Sequence, residues 1–258
     1  MKSVICSLAG VLMGIMVMAQ SEPKIPLIGD ATPEFKAQST KGVIHFPDDF
    51  GTHWKLIVSF PKDFNPVCSS ELLELACRQN DFKALNVDIL VLATDSMSKH
   101  HLWLESLQQL CYKGRNAEEI DFPLLTDHNY SITREFGMLH YPYSSNRDIR
   151  GVFLIDPENT IRFVQFYPIE IGHNIEELER VIVALQTSDR DQVFTPANWQ
   201  PGDDVIIPYP VSCTKTDPDV NQLTWYMTFR KTSDPRASGL AQTKEMDHHD
   251  EGVNLNIE

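Results

Sequence analysis

The order of apolar segments along this 258-residue sequence predicts an α/β fold. The first observation is a strand-like run, HWKLIVSF (53–60), which a helix-like apolar pattern follows after a short loop. The second is the further alternation of such segments, which gives the order β-α-β-α-β-β-α up to residue 186. The third is Cys68, which lies at the junction of the first strand and the first helix. Together these observations are typical of a thioredoxin-like α/β sheet.

The N-terminus has the pattern of a secretory signal peptide. Lys2 precedes the apolar run VICSLAGVLMGIMVMA, whose last residues include small side chains at the positions that a signal peptidase recognises. We therefore predict a signal peptide at 1–19, cleavage after Ala19, and an exported protein, either periplasmic or secreted. An uncleaved N-terminal anchor is the alternative.

The first strand and helix define the position of Cys68. The run 53–60 is apolar and rich in β-branched residues, and Pro66 stands where the first turn of the helix begins. Cys68 therefore falls in that first turn, where free N–H groups and the positive end of the helix dipole favour a reactive thiolate. An ordinary half-buried cysteine near a helix start remains an equal alternative on this stretch alone.

The later elements follow from the same patterns. VDILVLAT (87–94) predicts a second buried strand, and Asp95-Ser96 precedes a predicted helix, KHHLWLESLQQLCY, that includes Cys111. The segment 149–167 predicts two strands joined by a turn at Asp156-Pro157-Glu158-Asn159. Asn174 caps the last helix, IEELERVIVALQ, and Glu177 completes a pair that resembles a capping box.

The residue pattern changes at about residue 187, after which loops with proline and tryptophan separate short predicted strands such as DDVIIPYP and LTWYMTF. We predict a small C-terminal domain that contains β-strands, and a polar, acidic tail that is disordered. The predicted divisions are 1–19 for the signal peptide, 25–186 for the thioredoxin-like domain, 187–233 for the C-terminal domain and 234–258 for the tail.

Composition and charge exclude several classes of function. The sequence is 42% hydrophobic and 22% charged, and its net charge is −14. Removal of the signal peptide takes away Lys2 and leaves −15. An acidic chain of this kind is not expected to bind nucleic acid or an anionic membrane surface.

The cysteines of the mature chain do not form a recognisable disulfide or metal pattern. Cys68, Cys77, Cys111 and Cys213 include no CxxC motif, and Cys77 follows Cys68 by nine residues, too far for a bridge within one helix. No cysteine–histidine cluster has the spacing of a zinc site. The tail motif MDHHDE (246–251) holds two adjacent histidines, which we interpret as solvated rather than metal-binding.

Six blocks in the same order resemble the peroxiredoxin family, specifically its one-cysteine branch with a small C-terminal domain. They are IPLIGDATPEF (25–35), FPKDFNPVCSSEL (60–72), DSMSKHHLW (95–103), RGVFLIDPENTIR (150–162), YPIEIGHNIEELERVIVALQ (167–186) and TPANWQPGDDVIIPYP (195–210). The resemblance runs from about residue 25 to residue 232. It implies a thiol-dependent peroxidase of thioredoxin-like fold.

The resemblance also implies roles for individual residues. Cys68 matches the peroxidatic cysteine, whose thiolate attacks a peroxide and becomes a sulfenic acid. Arg150 matches the arginine that stabilises the thiolate and the peroxide, and Glu71 matches the glutamate that orients this arginine. Pro61 matches the proline that shields the cysteine.

Three positions depart from the family pattern. Asn65 stands at the position of a threonine or serine hydroxyl, and its amide can donate and accept hydrogen bonds but is bulkier than a hydroxyl. Phe60 stands where histidine is common, and His173 stands in IGHN where the family usually has GRN. The Gly-x-Ser-x-Gly motif to which some one-cysteine relatives owe a lipase activity is missing from the corresponding segment, DDFGTHWK, which has no serine.

The resemblance implies no cofactor. It implies a peroxide substrate (hydrogen peroxide or organic hydroperoxides), an external thiol reductant such as a thioredoxin-like protein or a low-molecular-weight thiol, and a homodimer or ring of dimers. The alternative function is a catalytically weakened paralogue that acts as a chaperone-like or scaffold oligomer. A disulfide oxidoreductase is disfavoured because the sequence has no CxxC motif.

Overall fold

The computed structural model describes residues 25–139, 150–209 and 218–232. The predicted signal peptide, the acidic tail with its two histidines, and Cys213 lie outside the described residues. None of the described helices is both long enough and apolar enough to cross a bilayer. The described part is built on a seven-stranded mixed sheet with helices on its faces.

The strands and helices are these, in chain order. The strands of the main sheet are β1 Phe35–Ser39, β2 Gly42–Phe46, β3 Trp54–Phe60, β4 Val87–Ala93, β7 Leu124–Thr126, β8 Arg150–Ile155 and β9 Ile161–Tyr167. The smaller strands are β5 Cys111–Tyr112, β6 Arg115–Asn116, β10 Val205–Ile206, β11 Val220–Thr224 and β12 Met227–Arg230. The helices are α1 Pro66–Ala84, α2 Met97–Leu107, α3 Ser131–Glu135 and α4 Ile175–Asp191, with a 3-10 helix at Asp48–Phe50.

The main sheet has the strand order β2-β1-β7-β4-β3-β8-β9. Strand β3 is central and runs parallel to β4 and antiparallel to β8. All seven residues of β3 are buried, as expected for a strand covered on both faces. Its alternate residues Leu56, Val58 and Phe60 belong to the core on the face of α1 and α4, whereas Ile57 belongs to the core on the face of α3. This sheet carries Phe60 and Arg150 to the same end of neighbouring strands.

The thioredoxin-like α/β fold predicted from the sequence is confirmed, and the C-terminal segment contributes a three-stranded sheet of order β10-β12-β11. The predicted order missed the β1–β2 hairpin, β7 and α3. Helix α4 begins after Asn174 as predicted, and the Asn174 side chain accepts a hydrogen bond from Glu177 N–H at 3.2 Å. The helix continues to Asp191, beyond the predicted domain boundary at residue 186.

The helical prediction for Cys111 is wrong. Helix α2 ends at Leu107, and Cys111 lies in β5, which pairs with β6. The reason is the turn between these strands, because Lys113 (φ 50°) and Gly114 (φ +73°) both have positive φ. Two consecutive residues of positive φ are the signature of a tight hairpin turn, which a helix cannot accommodate.

Candidate active site around Cys68

Cys68 is the third residue of α1 and lies at the end of the loop that leaves β3. Its side chain has no exposed surface and belongs to the same hydrophobic cluster as Phe60 and Trp103. The rings of these two aromatic residues meet edge to face, with centroids 6.1 Å apart. Trp103 Nε1 donates a hydrogen bond of 3.0 Å to the hydroxyl of Ser69, the residue after Cys68. The cysteine therefore lies in a closed pocket with an apolar wall.

Asn65 is the N-cap of α1. Its backbone is extended (φ −71°, ψ 128°), and its Oδ1 accepts hydrogen bonds from Val67 N–H at 2.9 Å and Cys68 N–H at 3.0 Å. Pro66 occupies the first helical position, where its missing N–H costs no hydrogen bond. The cap thus fixes the peptide group of Cys68 and binds the N–H that would otherwise be free at this helix end.

Arg150 and Glu71 form a buried ion pair beside this first turn. Arg150 begins β8 and Glu71 lies one helical turn after Cys68; both side chains are almost fully buried. Arg150 Nη2 pairs with Glu71 Oε2, and Arg150 Nη1 donates to the carbonyl of Ile171 at 2.5 Å. These contacts hold the guanidinium at the end of β8 next to α1, where its positive charge acts on the thiol of Cys68.

His173 contacts the other oxygen of the same carboxylate. Its backbone N–H donates to Glu71 Oε1, and its ring Nδ1 lies 3.0 Å from that oxygen. The ring stacks on Tyr167 with a centroid distance of 4.7 Å and an interplanar angle of 15°. Glu71 therefore joins Arg150 on one side to His173 on the other, a contact that the sequence did not predict for His173.

Burial raises the pKa of the Cys68 thiol to about 12. Arg150 acts in the opposite direction, whereas Glu71 and Asp63 raise the pKa further. The backbone N–H of Cys68 lowers this pKa, in the direction that the sequence predicts for a helix N-terminus, but removal of the sulfur from water outweighs both this effect and the charge of Arg150. In this state Cys68 is a protonated thiol.

The loop that precedes Cys68 is tied to the corner between β4 and α2. The buried Pro61 accepts a hydrogen bond at its carbonyl from Thr94 Oγ1 at 3.0 Å. Asp63 donates its backbone N–H to Asp95 Oδ2 at 2.8 Å, and its carboxylate lies 2.7 Å from His100 Nδ1 with both side chains fully buried. Sequence reasoning missed Asp63 and His100, although both belong to blocks it had singled out.

The structure thus brings four sequence-predicted residues to one place, since Cys68, Arg150, Glu71 and Asn65 all lie at or beside the first turn of α1. The fifth, Pro61, lies in the loop between β3 and α1, where its carbonyl accepts the hydrogen bond from Thr94. Among the described cysteines, Cys68, Cys77 and Cys111 are free thiols. Cys77 lies on α1, as the sequence predicted, and is half-buried, whereas Cys111 is exposed on the β5–β6 hairpin. In the described ranges no group of three potential ligands from histidine, cysteine, aspartate and glutamate is placed to hold a metal ion.

Two family models match the chain. Residues 28–164 match the AhpC/TSA family, and residues 184–215 match the C-terminal domain of 1-Cys peroxiredoxin. Together the two matches span both the sheet with Cys68 and the end of α4 with the segment that follows it.

Similar proteins agree with these matches. A peroxiredoxin of Methanosarcina mazei is 40% identical over 215 residues, which are 80% of this chain and 98% of that protein. Peroxiredoxin 2 of Picrophilus torridus is 37% identical over 202 residues, 78% of this chain and 96% of that protein.

Two solved structures are similar to this chain over nearly their full length. A yeast mitochondrial 1-Cys peroxiredoxin, studied for its thiol resolving mechanism via glutathione/thioredoxin systems, has a TM-score of 0.71 and 33% identity, with 80% of this chain and 99% of that one covered. A mutant of peroxiredoxin 6 of Arenicola marina has a TM-score of 0.72 and 29% identity, with 80% and 97% covered.

Proposed function

Since the chain belongs to the peroxiredoxin family, a family of thiol-dependent peroxidases, we propose that it reduces hydrogen peroxide and organic hydroperoxides with Cys68 as the nucleophile. The observation that carries this proposal is the placement of Cys68 in the first turn of α1, with Arg150 held beside it by Glu71. Arginines also act on Cys77, but the side chains of Arg78 and Arg115 are 23% and 45% exposed, whereas that of Arg150 is 0% exposed.

The proposed chemistry is a displacement at one peroxide oxygen. The Cys68 thiol gives up its proton, a bond forms between sulfur and the nearer oxygen, and the O–O bond breaks. Sulfur is oxidised to a sulfenic acid, the peroxide is reduced, and the leaving oxygen takes the proton and departs as water or an alcohol. Arg150 stabilises the negative charge that moves from sulfur to this leaving oxygen.

Access to the sulfur is the first requirement of this reaction. The pKa of Cys68, raised to about 12 by burial, describes a resting thiol that is shielded from both solvent and substrate. We therefore expect the reactive thiolate to form in a conformer in which the first turn of α1 and the loop 61–65 before it move apart enough to admit the peroxide. In that conformer water reaches the sulfur, so burial raises the pKa of Cys68 less and Arg150 can lower it further.

We further propose a one-cysteine cycle, in which an external thiol forms a mixed disulfide with the sulfenic acid and a second thiol releases Cys68. Cys77 is separated from Cys68 by more than two turns of the same helix and cannot reach it without unwinding. The yeast relative studied with glutathione/thioredoxin systems supports a thioredoxin-like protein or a low-molecular-weight thiol as the reductant.

Two further parts of the proposal concern location and assembly. The N-terminal segment 1–19 motivates export to the periplasm or the exterior after cleavage near Ala19. Peroxiredoxins generally form oligomers, and we propose a homodimer or ring of dimers for this chain.

The test is peroxide consumption by the mature protein with excess dithiol. We expect Cys68→Ser to abolish consumption, and matched Cys77→Ser and Cys111→Ser variants to retain it. After one equivalent of peroxide, a dimedone probe should label Cys68 alone. Label on another cysteine, or consumption by Cys68→Ser, would contradict the assignment; an intact wild-type oligomer that consumes no peroxide would favour the scaffold alternative.

The one-cysteine cycle has a separate test. Peptide mapping of the oxidised protein under non-reducing conditions should find no stoichiometric disulfide within the chain. A disulfide between Cys68 and Cys213 would contradict the one-cysteine cycle, because Cys213 would then react with the sulfenic acid in place of an external thiol.

A further inference from the structure

His173 occupies a position from which it can influence both the placement of Arg150 and the charge near Cys68. Its side chain is fully buried, and it contacts Glu71 through both its backbone N–H and its ring. Glu71 in turn pairs with Arg150. A change at His173 therefore reaches Arg150 through one shared carboxylate.

The hydrogen-bond pattern fixes which ring nitrogen is basic. A carboxylate can only accept hydrogen bonds, so Nδ1 of His173 donates to Glu71 and carries a proton. The other nitrogen, Nε2, is buried and has no hydrogen-bond partner among the residues that the structure describes. The ring can therefore take a second proton on Nε2 without breaking a hydrogen bond seen here, and Glu71 attracts the resulting positive charge.

The charge of the pocket depends on this proton. With a neutral His173, the positive charge of Arg150 and the negative charge of Glu71 cancel. With a protonated His173, the three groups carry one net positive charge, which favours a thiolate over a thiol nearby. Within residues 25–139, 150–209 and 218–232, the titratable and charged groups that face the ring or the thiol are Glu71 and Cys68 of α1, Arg150 of β8, Tyr167 of β9 and Asp63 of the loop before α1.

We propose that His173 is a positioning residue that holds Glu71 against Arg150 and, when protonated, supplies a second positive charge to the pocket of Cys68. The inference rests on the proposed function only in taking Cys68 as the reactive thiol. It makes the reactivity of Cys68 depend on a histidine, whose charge can change with pH, where an arginine at this position would provide a permanent charge. At mildly acidic pH, a protonated His173 would keep a larger fraction of Cys68 as the thiolate than Arg150 and Glu71 alone would.

The test compares the wild type with His173→Arg and His173→Gln. Gln keeps an N–H donor for Glu71 without charge, and Arg carries a permanent charge. The readout is the rate at which iodoacetamide alkylates Cys68, followed by mass spectrometry of its peptide from about pH 5 to pH 9. This measurement needs no peroxide, so it can fail independently of the peroxidase proposal.

We expect the thiol of the Arg variant to titrate at least about one pH unit below that of the Gln variant, the usual size of a nearby charge effect. The wild type should follow the Arg variant at the acidic end and the Gln variant at the basic end. A wild-type profile that coincides with the Gln variant at every pH would overturn the proposal.

A second measurement covers the case in which a variant does not fold. In the wild type, the ring ¹⁵N resonances of His173 should show a protonated fraction that grows toward acidic pH, and Glu71→Gln should reduce that fraction because it removes the negative charge that attracts the proton. A ring that stays neutral throughout would overturn the proposal without any variant of His173.

Discussion

The buried pair of Arg150 and Glu71 allows a quantitative test of how the active site is held. The Arg150 side chain is 0% exposed and that of Glu71 3% exposed, so Arg150→Met leaves a carboxylate in the protein interior with its main counter-charge gone. Breaking a buried ion pair in this way costs about 3–5 kcal/mol of unfolding free energy. The contacts of His173 with the same carboxylate place the expected loss toward the lower end of this range.

The chain offers a matched control on the neighbouring strand. Arg162 pairs with Asp189, whose side chain is 43% exposed, and with Asp156, whose side chain is 7% exposed, and its own side chain is 26% exposed. Solvent screens the pair with Asp189, and the Asp156 carboxylate keeps its hydrogen bond from Thr160 N–H at 2.8 Å, so we expect Arg162→Met to cost about 1 kcal/mol. The same substitution at two arginines of adjacent strands therefore separates the effect of burial from the loss of an arginine as such.

The assay is urea unfolding, with the free energy extrapolated to water, for Arg150→Met, Glu71→Gln, the double variant and Arg162→Met. The double variant removes both charges and should be more stable than the sum of the single losses predicts, with a coupling energy of about 2–3 kcal/mol. Arg150→Met should also lose peroxidase activity, because Arg150 no longer opposes the burial that raises the pKa of Cys68. Equal losses for Arg150→Met and Arg162→Met, or additive single losses, would refute this reasoning.

Two further predictions follow from the helix cap and from a buried glutamate. Because Asn65 caps α1 through two backbone N–H groups, Asn65→Ala should lower the unfolding free energy by about 0.5–2 kcal/mol. Asn65→Thr should preserve stability within about a few tenths of a kcal/mol, since threonine also caps helices, and should speed peroxide consumption about tenfold; an unchanged rate would leave Asn65 as a cap only. Burial raises the pKa of Glu179 to about 7 from 4.5 despite its pairing with Arg78, so the folded protein binds this proton more tightly than the unfolded chain. That contribution to stability is present below about pH 4.5 and is lost as the pH rises to about 7. The urea midpoint should therefore fall more between pH 5 and pH 8 for the wild type than for Glu179→Gln. An equal fall for the two proteins would contradict the raised pKa of Glu179.

Local sequence signals predicted the placement of Cys68 well. Pro66 and the polar loop before it define a helix start, and the apolar run before the loop defines a buried strand, so the observed β3 and α1 differ from the prediction by few residues. The prediction for Cys111 failed because Lys113 and Gly114 adopt positive φ in a turn that an apolar helical pattern does not reveal. Short strands such as β7 were missed for a similar reason, since three residues carry no clear periodicity.

The site itself was only partly accessible to sequence reasoning. Nothing local relates Arg150 to Glu71, which lie far apart in the chain and meet because β8 pairs with β3; the family resemblance supplied both. The contact of His173 with Glu71 depends on the path of the chain between β9 and α4. The protonated state of Cys68 arises from burial by several elements, a quantity that no single stretch of sequence encodes.

The hydrogen bond between Trp103 and Ser69 gives the protein a built-in optical reporter. The indole of Trp103 is fully buried and donates its N–H to Ser69, the residue next to Cys68, so its fluorescence is sensitive to the conformation of the first turn of α1. Any movement that exposes the sulfur also changes the surroundings of this indole, whereas Trp225 at the surface responds to solvent throughout. Because Trp54 and Trp199 are also buried, time-resolved emission from a variant that keeps Trp103 as its one tryptophan is what can follow the opening and closing of the pocket, with no attached dye.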